Sequence, residues 1–229
     1  MNNPNHHAYD LRGNGRSQGR RGHLHRWAEF REDLRHVLHW VQEQQPGYPC
    51  FLLGHSLGSV ITLGYGLHYP AEAQWLQGVI AIAPALGQVG VSPIKIALGR
   101  MLSGIWPQFS LPTSWDRSTS FPGSGICRHG NSGSPPPFLG ECPVIHGILC
   151  HRRLDPVPCS RLASTIVDPP GEDDRVVSPE SSRTFFQHVT LPDKEWQSYP
   201  EGYHELHNDL CAAALFADLE SWLTRHLPS

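Results

Sequence analysis

Residues 50–70 read CFLLGHSLGSVITLGYGLHYP. An apolar run breaks on Gly54, a serine stands between His55 and Leu57, and Gly58 follows before an apolar helical pattern begins. A buried strand passing into a helix does not need that arrangement; a nucleophile held on a tight turn does. Residues 50–53 predict a short buried strand, and residues 57–68 a helix that ends before Pro70. Gly54-His55-Ser56-Leu57-Gly58 then fits G-x-S-x-G at a strand-to-helix turn. There the glycines allow close backbone approach and the serine hydroxyl stands exposed above a sheet. The first N–H groups of a helix lack intrahelical partners, so the Leu57 N–H is a candidate donor to a developing oxyanion.

A serine is a poor nucleophile until a base takes its proton. A strand-turn-helix nucleophile of this kind is followed in the chain by an acid and then a histidine. Residues 171–177, GEDDRVV, offer Asp173 and Asp174 as the acid. Residues 201–210, EGYHELHNDL, offer His204 and His207 as the base. An acidic turn explains either aspartate equally well, and in a chain with 15 histidines no single one stands out by type. Order along the chain is what singles these segments out.

The surrounding pattern predicts an α/β fold. Trp27, Phe30, Leu34, Val37, Leu38 and Val41 recur at helical spacing over residues 25–45, and Pro46-Gly47 stops the run. Residues 76–83, LQGVIAIA, predict a second buried strand, and residues 195–199 a short one. Leu210, Leu215, Phe216, Leu219, Trp222 and Leu223 predict an amphipathic helix over residues 207–226. Helices alternating with short buried strands imply a largely parallel sheet.

Residues 114–170 break this grammar. They are dominated by Pro, Gly, Ser, Cys, Arg and His, with no Lys, Gln, Tyr or Met, and show no sustained period. Two accounts are open: an irregular insertion, or a stretch of codons read out of frame. A structureless loop this long is unusual inside a compact domain. Cys127, Cys142, Cys150 and Cys159 with His129, His146 and His151 lack the C-x₂-C or H-x₃-H pairs of a zinc site, so no metal is expected.

Other classes are set aside on composition. A net charge of −3 suggests no bulk attraction to nucleic acid. The N-terminus has no apolar stretch of the secretory kind, and residues 76–99, the most apolar segment, are interrupted by Gly, Pro and polar residues. Six cysteines then read as free thiols of a cytoplasmic protein. Arg16, Arg20, Arg21 and Arg26 read as a solvated basic cluster, with transient contact to a membrane surface as the alternative.

Four blocks resemble the monoacylglycerol lipase and lysophospholipase branch of the α/β-hydrolases, the branch similar to the S33 serine aminopeptidases. Residues 9–17, YDLRGNGRS, resemble the family's D-x-R-G-H-G-x-S turn, with Asn14 at its usual histidine. GHSLGS resembles the nucleophile elbow, GEDDRVV the G-x-x-D acid loop, and YPEGYHELHND the segment carrying the catalytic histidine. The resemblance covers roughly residues 8–113 and 171–227, and it selects Asp174 over Asp173 and His204 over His207. Asp174 follows Ser56 by 118 residues and precedes His204 by 30, separations of the family's size.

The resemblance implies one α/β-hydrolase domain over residues 1–229, with residues 114–170 as an irregular or frame-shifted cap segment. Residues 89–109 resemble the cap's apolar start; an ordinary core helix would read the same. The family also has several strands before the D-x-R-G turn and a His-Gly loop that supplies a second oxyanion N–H. Neither is in this sequence, so the resemblance implies a truncated sheet and one oxyanion donor fewer, a loss of ~10²–10³ in turnover. Ala163–Val167 is the β-like run available before the acid loop, broken by Asp168-Pro169-Pro170. The function implied is hydrolysis of lipid carboxylic esters, monoacylglycerols or lysophospholipids, by Ser56, Asp174, His204 and the Leu57 N–H without a cofactor. A catalytically dead relative that binds lipid or a partner is the alternative, and a peptidase or other esterase would share the same fold.

Overall fold

The computed structural model describes residues 6–21, 23–87, 165–168, 174, 176–200 and 202–227. In chain order the elements are α1 (Ala28–Gln44), β1 (Cys50–His55), α2 (Leu57–His68), β2 (Leu76–Ile82), β3 (Thr165–Asp168), α3 (Pro179–His188), β4 (Lys194–Trp196) and α4 (Ala212–His226). Short 3-10 turns at Glu72–Trp75 and Leu206–Asn208 lead into β2 and α4. Among the described residues four strands form one sheet in the order β1-β2-β3-β4, every neighbouring pair parallel. The largely parallel α/β sheet expected from the pattern is therefore present.

β2 shows why the sheet is covered on both faces. Its side chains alternate, as a strand requires. Val79 and Ala81 enter a cluster with Phe30, Leu34 and Leu38 of α1 and Ile61, Leu63 and Tyr65 of α2. Ile80 and Ile82 enter another with Leu215, Leu219 and Trp222 of α4. A strand buried on both faces reads as a continuous apolar run, and LQGVIAI does. Helices thus pack on each side of the sheet, with Phe185 of α3 joining the α1/α2 side.

Several boundaries differ from those predicted. α1 begins at Ala28 rather than residue 25, and β1 runs on through Gly54 to His55. The strand expected at 195–199 is Lys194–Trp196, and β3 includes Asp168, which pairs with Ile82. The predicted apolar face of the last helix is corrected at two positions. Leu215, Leu219 and Trp222 are buried, but Leu210 and Phe216 are 75% and 56% exposed. Leu210 precedes the helix, and Phe216 sits about 100° round it from Leu215. α3 was not predicted by apolar spacing, yet its start carries a capping signal: Ser178 accepts from the Ser181 N–H at 3.3 Å, and Pro179 occupies the first turn.

The Tyr9–Ser17 block forms a compact turn. The Asp10 carboxylate accepts from the Arg16 N–H, and Ser17 Oγ donates to the Asp10 carbonyl. Arg12 binds both carboxylate oxygens of Asp33 on α1, at 2.9 and 2.6 Å. The Asn14 side chain donates to the Arg12 carbonyl, a structural part in the turn. Arg16, Arg20, Arg21 and Arg26 are exposed, as expected of a solvated cluster. The apolar start of the cap at 89–109 and the cysteine and histidine positions weighed for zinc lie outside the described residues, as does all of 114–170 apart from β3. Among the described residues Cys50 is a free thiol, and no helix is long and apolar enough to cross a membrane.

Candidate active site

Parallel strands deliver their C-terminal ends to one edge of the sheet, and in open α/β sheets that edge is where ligands bind. His55 pairs with Ile82 at that edge, and Asp168 pairs with the same residue from the other side. Ser56 follows β1 directly. Asp174 and His204 follow β3 and β4 on loops.

Ser56 occupies the turn in a backbone state that side chains rarely adopt, with φ 53° and ψ −116°. The surrounding bonds hold it there. The Ser56 N–H donates to the Ile82 carbonyl at 2.9 Å, and its own carbonyl accepts from Ala85 N–H at 3.2 Å. The buried Ser59 hydroxyl lies 2.7 Å from the Gly54 carbonyl and 2.8 Å from that of Ile82, tying the first turn of α2 to the ends of β1 and β2. Gly54 has no room for a side chain, since a Cβ there would lie 2.5 Å from the Gly58 carbonyl carbon. The tight strand-to-helix turn read from G-x-S-x-G is thus built from these contacts. Leu57 opens α2, so its N–H has no partner within the helix.

The three side chains singled out in the sequence meet here. His204 Nε2 lies 3.0 Å from Ser56 Oγ, and His204 Nδ1 lies 2.8 Å from Asp174 Oδ2. An ionised carboxylate only accepts, so Nδ1 carries the hydrogen and Nε2 is free to accept from the serine hydroxyl. The second carboxylate oxygen of Asp174 is held by the N–H groups of Val176 and Val177 at 2.6 and 3.1 Å. The His204 and Asp174 side chains are 4% and 0% exposed, so this pair is closed to solvent, while Ser56 is half-buried. Asp173 lies outside the described residues. His207 does not take the place of His204; its ring packs edge-on against His55.

Two supporting residues escaped the sequence reading. Asp209 holds the loop that carries His204, accepting from the Tyr203 and Leu210 N–H groups at 2.5 and 2.6 Å. His55 reaches the backbone of His204 across the site. Neither has a local sequence signal beyond its place beside a motif residue.

A parallel sheet covered by helices on both faces, with the serine turn and the loops of the acid and histidine at the strand ends, defines an α/β-hydrolase fold. Solved structures agree. A soluble variant of monoglyceride lipase from Saccharomyces cerevisiae, in complex with a substrate analog, matches with a TM-score of 0.79 at 21% identity, over 96% of this chain and 77% of that one. The monoacylglycerol lipase of Paleococcus ferrophilus matches with a TM-score of 0.72 at 24% identity, over 96% and 82%. The chain belongs to the family described as serine aminopeptidase, S33, whose model matches residues 2–128 and 170–211. Among curated relatives, it is 28% identical over 224 residues to the monoacylglycerol lipase of Mycolicibacterium smegmatis, covering 96% of this chain and 78% of that protein. It is 24% identical over 233 residues to the monoglyceride lipase of Homo sapiens, covering 95% and 72%. The family is one of hydrolases, and the chain is monoglyceride-lipase-like within it.

Proposed function

We propose that this protein is a serine ester hydrolase acting on carboxylic esters of lipids, monoacylglycerols or lysophospholipids, through an acyl-enzyme. The observation that carries the reading is the continuous hydrogen-bonded chain from Ser56 Oγ through the His204 ring to Asp174, at 3.0 and 2.8 Å. The Ser56–His204 distance lies within the range a proton transfer needs, and the His204–Asp174 distance is that of a hydrogen bond.

In this reading Ser56 Oγ attacks the ester carbonyl carbon while its proton passes to His204 Nε2. The new Oγ–C bond leaves a tetrahedral oxyanion, which accepts from the Leu57 N–H. Collapse breaks the bond to the leaving alcohol, and His204 returns the proton to that oxygen. Water then attacks the acyl-enzyme with His204 again as base, releasing the fatty acid and restoring Ser56. Asp174 orients the imidazole and stabilises its cation. General base action of this kind contributes about 10²–10⁴-fold. The lipid ester as substrate is supported by the names of the relatives, which act on monoacylglycerols or monoglycerides.

The test is labelling of the folded chain with a fluorophosphonate probe, alongside hydrolysis of a monoacylglycerol, a lysophospholipid and an aminoacyl amide. Labelling and ester hydrolysis that both vanish in Ser56→Ala are expected. A folded wild-type chain that neither labels nor hydrolyses would instead mark a relative without catalysis. Cleavage of the amide in preference to the esters would assign a peptidase.

A further inference from the structure

His55, the residue directly before Ser56, reaches across the site to the other end of the chain. Its Nε2 lies 2.9 Å from the backbone carbonyl oxygen of His204, 149 residues away. A carbonyl oxygen only accepts, so Nε2 carries the hydrogen and donates. The His55 ring also lies tilted against the His204 ring, with centroids 5.1 Å apart, and edge-on to His207 at 4.9 Å.

The His204 ring is gripped at both nitrogens, but the backbone that bears it follows β4 on a loop. Several bonds of that loop are local. The Gly202 N–H donates to the Tyr199 carbonyl, the Asn208 N–H to that of Glu205, and Asp209 holds Tyr203. They shape the loop, and Tyr199 and Leu206 pack it against Ile80 and Ile82 of the sheet. The His55 bond crosses to the residue adjoining the nucleophile, so it ties the His204 backbone directly to the serine turn. Transfer between serine and imidazole tolerates a heavy-atom separation of about 2.6–3.2 Å, and 3.0 Å leaves little slack.

We propose that His55 is a positioning residue for the reaction: its Nε2–H holds the His204 carbonyl and thereby keeps the imidazole within proton-transfer reach of the Ser56 hydroxyl. The proposal rests on the reading of Ser56 as nucleophile and His204 as base. Histidine suits the task because its neutral ring supplies a donor without placing a second positive charge beside the imidazolium that forms on His204. Burial favours that neutral form, holding the His55 pKa below its ordinary value. A lysine or arginine would donate equally well but would oppose the cation.

The experiment compares His55→Gln, whose amide keeps an N–H donor at similar reach, with His55→Met and His55→Ala, which have none. Ser56→Ala is carried alongside, and all are assayed as full chains on a p-nitrophenyl acyl ester after folding is checked by circular dichroism. The Met and Ala variants are expected to fold and to lose about 10–10²-fold in kcat with KM nearly constant, the size of loss that small misplacement produces. Fluorophosphonate labelling should slow in parallel, and Gln should restore both rates to within about threefold of wild type. Folded Met and Ala variants with wild-type kcat would overturn the proposal, as would a Gln variant no faster than Met. If both donor-less variants unfold while Gln folds, the bond serves the fold alone and the proposal fails. An active Ser56→Ala sinks the nucleophile assignment and this proposal with it. An inactive Ser56→Ala beside a wild-type-like His55→Met sinks this proposal alone.

Discussion

Ser56 and its neighbour His55 carry opposite kinds of cost. The φ of 53° at Ser56 is a strained state for a side chain, worth about 1–3 kcal/mol against folding. It persists because backbone bonds to Ile82 and Ala85 hold it. At His55 the cost is electrostatic. Burial is the largest influence and lowers its pKa, the neighbouring His204 and His207 lower it further, and the backbone bond to His204 and the nearby Glu205 pull the other way. The net lowering fixes a sign for stability. Above the unfolded pKa of about 6.5 both states hold His55 neutral, and the site contributes no pH dependence. As pH falls below that, the unfolded chain takes up a proton that the folded chain resists, so stability is lost. The urea midpoint of the wild type is therefore expected to fall more between pH 7.5 and 5.5 than that of His55→Gln. Equal slopes in the two proteins would contradict the lowered pKa.

At the scale of elements, the turn between β1 and α2 is the most constrained join in the molecule. A Cβ on Gly54 would lie 2.5 Å from both the carbonyl carbon and oxygen of Gly58 and 2.6 Å from the Ser59 N. These are backbone atoms that cannot swing away. Gly54→Ala must push α2 off the end of β1, and a loss of about 1–3 kcal/mol is expected from such overpacking. Because Ser56 lies between the clashing residues, fluorophosphonate labelling should slow at temperatures where the variant is still folded. A variant that melts earlier but labels at the wild-type rate would show that the turn absorbs the clash without moving the hydroxyl.

The elements also show how much could be read in advance. β1, α2 and β2 were legible because each is a dense apolar run bounded by glycine or proline, and α1 because Phe30, Leu34, Leu38 and Val41 recur along one face. α3 was not, because Ser182 is its buried residue and no apolar stripe marks it. β4, with three half-buried residues, carries almost no signal, and its predicted position was displaced accordingly. Asp174 and His204 were selected by resemblance to motif blocks. Their rivals Asp173 and His207 are identical in type, so residue chemistry alone could not separate them.

For the molecule as a whole, the join between the sheet and α4 closes one face of the core. Trp222 is 1% exposed and lies over Gly78 of β2. A Cβ on Gly78 would approach Trp222 Cη2 to 2.3 Å. The indole is wedged among Phe51 and the His226 ring, so it has little freedom to retreat. Gly78→Ala is expected to destabilise the fold by about 1–3 kcal/mol, measured as a lower urea midpoint with unchanged kcat in the protein that remains folded. An unaltered midpoint would mean that α4 slides on the sheet without cost.

The order of apolar runs and their periods already determined an α/β chain with a serine on a strand-to-helix turn, because those signals are local and each is written within about ten residues. What the sequence could not express is distance between remote segments. The parallel sheet brings the ends of β1, β3 and β4 to one edge, and only there do Ser56, Asp174 and His204 become neighbours. The bond from His55 to the His204 carbonyl likewise exists only once those strands have paired. A hydrogen bond is decided within tenths of an ångström, and that precision comes from close packing of the folded chain, not from the spacing of residues along it.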